Sequence, residues 1–211
     1  MAALDELGPR EGPVAREQAE AVITLSTEHG FTHWWALGTI MRGWARATQG
    51  QSAEGLAEIR QGLAAWQATG ARGAGPGLLG MLAEAYGQGG QAEEGLRVLA
   101  EGLVMVEHTG ERRHEAELYR LKGELLLVQL MDTAAEAEAC FHRALDAARA
   151  QQARSWELRA AMALARLWQH QGQRAEAHEL LAAVYGWFTE GFDTVDLREA
   201  RTLLAALSGT A

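Results

Sequence analysis

Apolar residues recur along this chain with the period of an α-helix. One stretch, spaced at i, i+3, i+4 and i+7, consists of Leu79, Leu82, Ala83 and Tyr86. A half-buried strand would instead alternate apolar and polar residues with a period of two. No stretch of the sequence shows that alternation convincingly. The pattern therefore predicts an all-α protein.

The helical segments repeat at intervals of about 40 residues. The segment Glu54–Leu63 returns as Glu94–Leu103 with the same small and apolar positions. Two later copies keep a large apolar residue four positions after a small one, as in Ala137 with Phe141 and Ala177 with Leu181. A fixed period of this length is typical of stacked helical hairpins. The sequence thus predicts four helix pairs, at about 31–69, 75–109, 114–150 and 154–188.

Glycine-bearing turns join the two helices of a pair. They lie at residues 49–51, 87–91 and 171–173, and glycine ends helices there because it accepts the left-handed backbone of a tight reversal. The large apolar residue before the turn stands eleven positions ahead of the small one in the first and third pairs, and nine ahead in the others. We therefore expect the turns of the first and third pairs to be about two residues longer.

The two ends of the chain differ from its middle. Breaker residues are dense in residues 1–12, which predicts a flexible N-terminal segment ahead of a single domain at 13–211. A capping helix is expected at 194–207, with Asp193 as its N-cap. The glycine-rich join at 68–77 is irregular, and it is a candidate hinge.

The repeats resemble tetratricopeptide repeats (TPRs), in which Leu-Gly in the first helix and Ala-x3-Phe-x2-Ala in the second mark each pair. More specifically, residues 116–127, 135–145 and 155–161 are similar to the C-terminal repeat region of large bacterial predicted ATPases. The Tyr-Gly-Trp-Phe-Thr-Glu-Gly-Phe-Asp element at 185–193 is the most specific part of the likeness. The resemblance implies a right-handed TPR-like solenoid of about ten antiparallel helices, four pairs with a flanking helix at each end.

The same resemblance implies a functional context. In those proteins an adenylate/guanylate cyclase or transcription-regulator domain precedes the ATPase, and the whole acts in signal transduction. It therefore implies a non-catalytic regulatory scaffold whose partner is a protein or peptide, such as an ATPase or a cyclase output domain. One departure from the family pattern is Gly73–Gly77, which replaces an aromatic-containing stretch at the start of the second pair.

Charge and composition exclude several other classes of protein. The chain has 19 Lys and Arg residues against 28 Asp and Glu, and its net charge of −9 repels nucleic-acid phosphates. A single cysteine excludes an internal disulfide, the first residues lack a signal-peptide pattern, and no apolar run is long enough to span a membrane. These features predict a cytoplasmic protein that binds neither nucleic acid nor membranes.

Catalytic and metal-binding chemistry finds little support. A phosphate-binding loop ends in Gly-Lys-Ser/Thr, whereas the only lysine, Lys122, is followed by Gly-Glu. The seven histidines never form the zinc motif His-Glu-x-x-His. Cys140 and His142 would act as a nucleophile pair only if they converged in a pocket with a third orienting group. We expect Cys140 instead to be a buried structural thiol, because a free cysteine packs as a small apolar residue. We predict no catalytic residue, no cofactor and no metal site.

Charged residues on the first helices of the pairs form a candidate partner-binding stripe. In TPR arrays the sides of these helices that point away from the core line a concave groove, where Arg suits planar carboxylates. The residues concerned are Trp35, Arg42, Arg46, Glu84, Glu117, Arg120, Glu124, Arg159 and Arg166. Four of them are expected at equivalent positions of successive pairs, namely Arg42, Glu84, Glu124 and Arg166. Pairing of these charges with one another is an equally weighted alternative.

The predicted function is therefore a protein-interaction or regulatory scaffold, and two alternatives stay open. In the first, an apolar small molecule binds between the halves joined at 70–77, near Trp34, Trp35 and Trp66. In the second, the chain self-associates through an exposed end helix and forms a homo-oligomer.

Overall fold

The structure, a computed structural model, describes residues 12–71, 73–129 and 133–209. Those ranges contain helices and no strand. The ten helices of the described residues are α1 (Gly12–His29), α2 (Thr32–Thr48), α3 (Ser52–Ala68), α4 (Gly75–Gln88), α5 (Ala92–Thr109), α6 (Glu115–Gln129), α7 (Ala134–Ala150), α8 (Arg154–His170), α9 (Arg174–Tyr185) and α10 (Val195–Ser208). The segment predicted to be flexible lies outside the described residues, except for Gly12.

The predicted architecture is confirmed. The four pairs are α2 with α3, α4 with α5, α6 with α7 and α8 with α9, and α1 and α10 flank them. Small residues bring the paired helices together. A Cβ atom on Gly43 of α2 would lie 2.6 Å from the carbonyl oxygen of Gly55 and 2.8 Å from the amide nitrogen of Ile59, both on α3. The small positions of the repeat are therefore points of backbone contact.

The chain divides into two compact units, unit 1 (Met1–Arg112) and unit 2 (Arg113–Ala211). In unit 1, α2 packs on α1, α3 and α4, and α4 packs also on α3 and α5. In unit 2, α8 packs on α6, α7, α9 and α10. The first helices of successive pairs thus contact each other directly within each unit. The division falls after Arg112 and not at the join 68–77, and the single domain at 13–211 stays a prediction.

The lengths of the turns change which residues are equivalent in successive pairs. Three residues separate the helices of the first pair, as they do in the second and fourth pairs, so the prediction of a longer first turn is wrong. Gly50, at the centre of the first turn, has φ +89° and makes this short reversal possible. Trp44 and Glu84 each stand eleven residues before the small residue of the next helix. The residue equivalent to Glu84 is therefore Trp44, and the assignment of Arg42 was wrong.

The start of α10 also differs from the prediction. Its N-cap is Thr194, whose side chain makes no capping hydrogen bond, so Asp193 does not take that place. Asp196 lies in the first turn, where a carboxylate suits the helix dipole. That carboxylate also binds Arg159 of α8. The first turn of α10 is therefore held by an ion pair with α8, and its N-cap side chain makes no capping hydrogen bond.

Candidate functional site

Charged side chains gather along α6, α8 and α10 in unit 2. On α8, Arg159 Nε donates to Asp196 Oδ2 of α10 at 2.6 Å, and Arg166 Nη2 donates to Glu199 Oε2 at 2.9 Å. On α6, Arg120 donates to Glu117 and Glu124 at distances of 2.5 to 2.7 Å. We call this set the charge ladder; it consists of Glu117, Arg120, Glu124, Arg159, Arg166, Asp196 and Glu199. The direct packing of α8 on both α6 and α10 brings these rows together.

Part of the ladder is buried. Arg120 and Arg159 are each only 8% exposed. Burial by itself raises the pKa of Glu117, but the charge of Arg120 and its hydrogen bond lower it, with smaller contributions from Arg159 and His114. The net result is a pKa below the ordinary value for glutamate. Glu117 is therefore held as a carboxylate, and it offsets the cost of burying the Arg120 guanidinium.

An aromatic residue steadies the centre of the ladder. The guanidinium carbon of Arg159 lies 5.0 Å from the ring centroid of Trp156, one helical turn earlier on α8. The ring of His114 meets the same indole at 6.3 Å between centroids, edge to face. Trp156, Asp196 and Glu199 were not among the residues that we predicted for this site. The spacing of Trp156 and Arg159 was a usable local signal, whereas the carboxylates of α10 gave none.

The stripe residues of unit 1 are arranged differently. Arg42 Nε and Arg46 Nη1 both bind the carboxylate of Glu58 on α3, at 2.9 Å and 3.2 Å. The first helices are instead linked by Trp44 Nε1, which donates to Glu84 Oε2 of α4 at 2.6 Å. Arg42 and Arg46 therefore turn toward the second helix of their own pair.

The two adjacent tryptophans at the start of α2 differ in their exposure. Trp35 is half-buried, and its neighbour Trp34 is exposed. The indole that points most freely to solvent at this position is thus the one we did not assign to the groove.

All five arginines of the predicted stripe bind a carboxylate within their own unit. Among them, Arg120 binds other members of the stripe, Glu117 and Glu124, as the alternative of mutual pairing expected. The other four bind Glu58, Asp196 or Glu199, which the stripe did not include. Arg166 and Glu124 keep the most exposed side chains, at 42% each. A partner that binds the ladder would meet these two residues first.

The cysteine and histidine that we considered as a nucleophile pair lie in environments typical of structural side chains. Cys140 is buried, and desolvation raises the pKa of its thiol, which disfavours the reactive thiolate. His142 faces Glu138 and packs near Trp168. Within the described ranges, no three His, Cys, Asp or Glu side chains form a group suited to a metal ion. The same ranges contain no helix of the length and apolarity needed to cross a membrane.

The segment between α9 and α10 is anchored by aromatic contacts. The guanidinium carbon of Arg154 lies 4.0 Å from the ring centroid of Trp187. Arg154 also binds the buried carboxylate of Glu157 at 2.7 Å, and Tyr185 packs on Phe192 at 6.0 Å between centroids. The outer face of Trp187 remains exposed.

Solved structures similar to this chain are TPR-like repeat proteins. BtubC (BKLC) from P. vanneervenii superposes with a TM-score of 0.69 at 14% identity, covering 94% of this chain and 81% of that one. The fold is a TPR-like helical repeat. A putative kinesin light chain of Podosopora anserina with nearly identical TPR-like repeats gives a TM-score of 0.59 at 21% identity, covering 80% of this chain and 83% of that one. A variant of the same protein gives a TM-score of 0.60. No protein-family model and no curated protein matches the chain.

Proposed function

We propose that this chain is a non-catalytic protein-interaction module that binds a protein or peptide partner through the exposed side of its first helices. The observation that carries the proposal is the charge ladder, in which the buried arginines of α6 and α8 are paired with carboxylates while the same two helices present the exposed charges Glu124 and Arg166. Together with the family resemblance, this supports a cytoplasmic role as a regulatory scaffold of a bacterial signalling ATPase-type protein.

The ladder suits recognition because its geometry is set before a partner arrives. Arg120 and Arg159 are immobilised by carboxylates, so little side-chain entropy is lost there on binding. Arg166 presents a planar guanidinium that can donate to a second carboxylate in addition to Glu199, and Glu124 presents the opposite charge. The partner implied by this pattern carries both an acidic and a basic residue.

A charge swap tests the proposal without removing an ion pair. The double variant Arg166→Glu with Glu199→Arg keeps the pair on α8 and α10 but reverses its order. The matched control is Arg97→Glu with Glu101→Arg, which swaps an exposed pair on the second helix α5. Each variant serves as bait for capture from native cytosol, with recovery measured by quantitative mass spectrometry.

We expect wild type and the control swap to recover the same defined protein. We expect the ladder swap to recover about tenfold less of it, because the contact between position 166 and the acidic residue of the partner becomes repulsive. Equal recovery by all three baits, with unchanged helicity in circular dichroism, would refute a role for the ladder.

A second candidate function, small-molecule sensing, is favoured by one observation in unit 1. Trp66 Nε1 is buried and has no acceptor among the described residues. Its ring lies beside Gly75 at the start of α4, where the sulfur of Met105 also packs. A buried indole donor without an acceptor is costly, and a ligand oxygen would satisfy it. This location lies within unit 1, whereas the site expected from the sequence lay between two halves of the chain.

Native mass spectrometry of the purified protein tests this candidate. A bound metabolite carried through purification, and lost in Trp66→Phe but retained in Trp44→Phe, would support it. A spectrum that contains the bare chain for wild type as well as both variants would count against it.

A further inference from the structure

The first helix carries an exposed apolar strip on its outer side. At about 100° per residue, Val14, Ala21 and Leu25 fall on one line along α1. Leu25 is 55% exposed, and Val14 is exposed to a similar extent. The line continues over the turn, because His29 follows Leu25 by four residues and stacks on the exposed ring of Phe31 at 5.6 Å. We call Val14, Ala21, Leu25 and Phe31 the α1 strip.

The internal repeat shows that the apolar strip is a feature of α1 and not of the second helices in general. Ala19, Ile23 and Ser26 keep the small, large, small spacing of the second helices of the pairs. Ala19 and Ser26 are buried, and α1 packs on α2. In the second helices α3, α5 and α7, the residues that correspond to Leu25 are all exposed and polar, namely Gln61, Glu101 and Arg143. The exposed apolar side chain of Leu25 therefore has no counterpart in those helices.

The charged residues beside the strip indicate which charge a partner bound there would carry. Glu17 and Glu28 fall along one border of the strip, and both are exposed. Arg16, the only arginine of α1, lies on another side of the helix and binds Glu20. An apolar strip with an acidic border complements an amphipathic helix that carries leucine-like residues beside Lys or Arg.

Two other occupants match this charge pattern poorly. Residues 1–11 include Asp5, Glu6 and Glu11 against a single Arg10, so they carry the same sign as the border. A second copy of the chain brings a net charge of −9. Like charges across an interface are unfavourable.

We infer that the α1 strip is a docking surface for a basic amphipathic helix of another protein. This surface is separate from the charge ladder, and it does not depend on the function proposed for the ladder. The apolar residues supply the contact area, and Glu17 with Glu28 select the partner by charge and set its orientation.

A binding assay with two synthetic helices tests the inference on the full chain. Both peptides have the 18-residue length of α1 and one stripe of leucines. One has Lys along the border of the stripe, and the other has Glu at the same positions. Fluorescence anisotropy at about 0.15 M salt measures the dissociation constants, since longer-range attraction is screened there.

Matched variants separate docking from general attraction to an acidic protein. Leu25→Ser is compared with Val104→Ser on α5, where Val104 is 51% exposed. Glu17→Lys with Glu28→Lys is compared with Glu93→Lys and Glu107→Lys, two exposed glutamates of α5. Both double variants change the net charge equally. Because all these side chains are exposed, the variants are expected to fold as wild type does.

We expect the Lys-bordered peptide to bind wild type and both α5 controls alike. We expect Leu25→Ser and the Glu17/Glu28 variant each to weaken it about tenfold. Equal weakening by the two double variants, or equal binding of the Glu-bordered peptide, would overturn the inference. So would dimerisation of wild type that Leu25→Ser abolishes, since it would assign the strip to a second copy. Tighter peptide binding after deletion of residues 1–11 would assign it to that segment instead.

Discussion

Arg120 and Arg159 are buried cations, and each is retained in the fold because a carboxylate lies within hydrogen-bonding distance. An unpaired charge at such a place would be strongly unfavourable. At the scale of the residue, these two arginines therefore have a structural role in the folded protein. Replacing Arg120 by Glu would put three carboxylates together and disturb the fold. A test of partner binding is therefore better directed at exposed members of the ladder.

Glu117→Gln should destabilise the protein in a pH-dependent way. The folded state lowers the pKa of Glu117, so its carboxylate stabilises the fold above the ordinary glutamate pKa of about 4.3, and this contribution is lost as pH falls through the lower folded value. We expect a loss of about 3 kcal/mol at pH 7. The difference from wild type should shrink as the pH falls below about 4. Urea unfolding at a series of pH values measures both effects.

Glu124→Gln is the matched control, since Glu124 also binds Arg120 but is far more exposed. It should cost less than about 1 kcal/mol. A similar loss in the two variants, or a loss for Glu117→Gln that does not change with pH, would contradict the argument.

At the scale of the element, the unit of this fold is a helical hairpin closed by backbone contact. Gly43 and Gly55 leave no room for a Cβ atom between α2 and α3. The carbonyl oxygens and amide nitrogens on both sides belong to regular helices and do not move easily. Small residues at this spacing in the sequence therefore predicted the packed side of each helix, and the structure places them there.

Gly43→Ala should test this close approach. The added Cβ would meet the carbonyl oxygen of Gly55, so we expect a loss of about 3 kcal/mol in spite of the better helix propensity of alanine. Gly73→Ala serves as the control, because its Cβ would have no neighbour within 4 Å. That variant should stay within about 0.5 kcal/mol of wild type. Thermal unfolding followed by circular dichroism compares them, and equal midpoints would argue against backbone contact as the basis of the pair.

Equivalent residues of successive helix pairs are not the ones that the sequence pattern predicted. Matching large apolar residues suggested a longer first turn, and the spacing of the charges suggested that Arg42 is the residue equivalent to Glu84. The structure has a short first turn and puts Trp44 at that position. The error arose because a tryptophan and a glutamate have unlike side chains, although they occupy equivalent places and bind each other. Turn length follows from the backbone, which composition alone does not reveal.

At the scale of the whole molecule, acidic charge limits the partners. The net charge of −9 acts over the entire surface, and it disfavours phosphate-rich polymers. We expect no retardation of labelled duplex DNA by about 10 μM protein at about 0.15 M salt in a gel-shift assay. A basic DNA-binding domain run in parallel shows that the assay responds. A shifted band that higher salt abolishes would contradict the expectation.

The sequence by itself determined the helical repeat, because the positions that carry it recur with the short period of the helix and the longer period of one hairpin. It also indicated which surfaces are charged. Only the tertiary structure decided how those charges pair. Arg159 meets a carboxylate 37 residues away, and Arg166 one 33 residues away. Such partners depend on which helices pack together, as does the exposure of Leu25 on α1 and of Phe31 just after it. Periodicity is a local property of the chain, whereas ion pairs and exposed strips arise from contacts between segments distant in sequence.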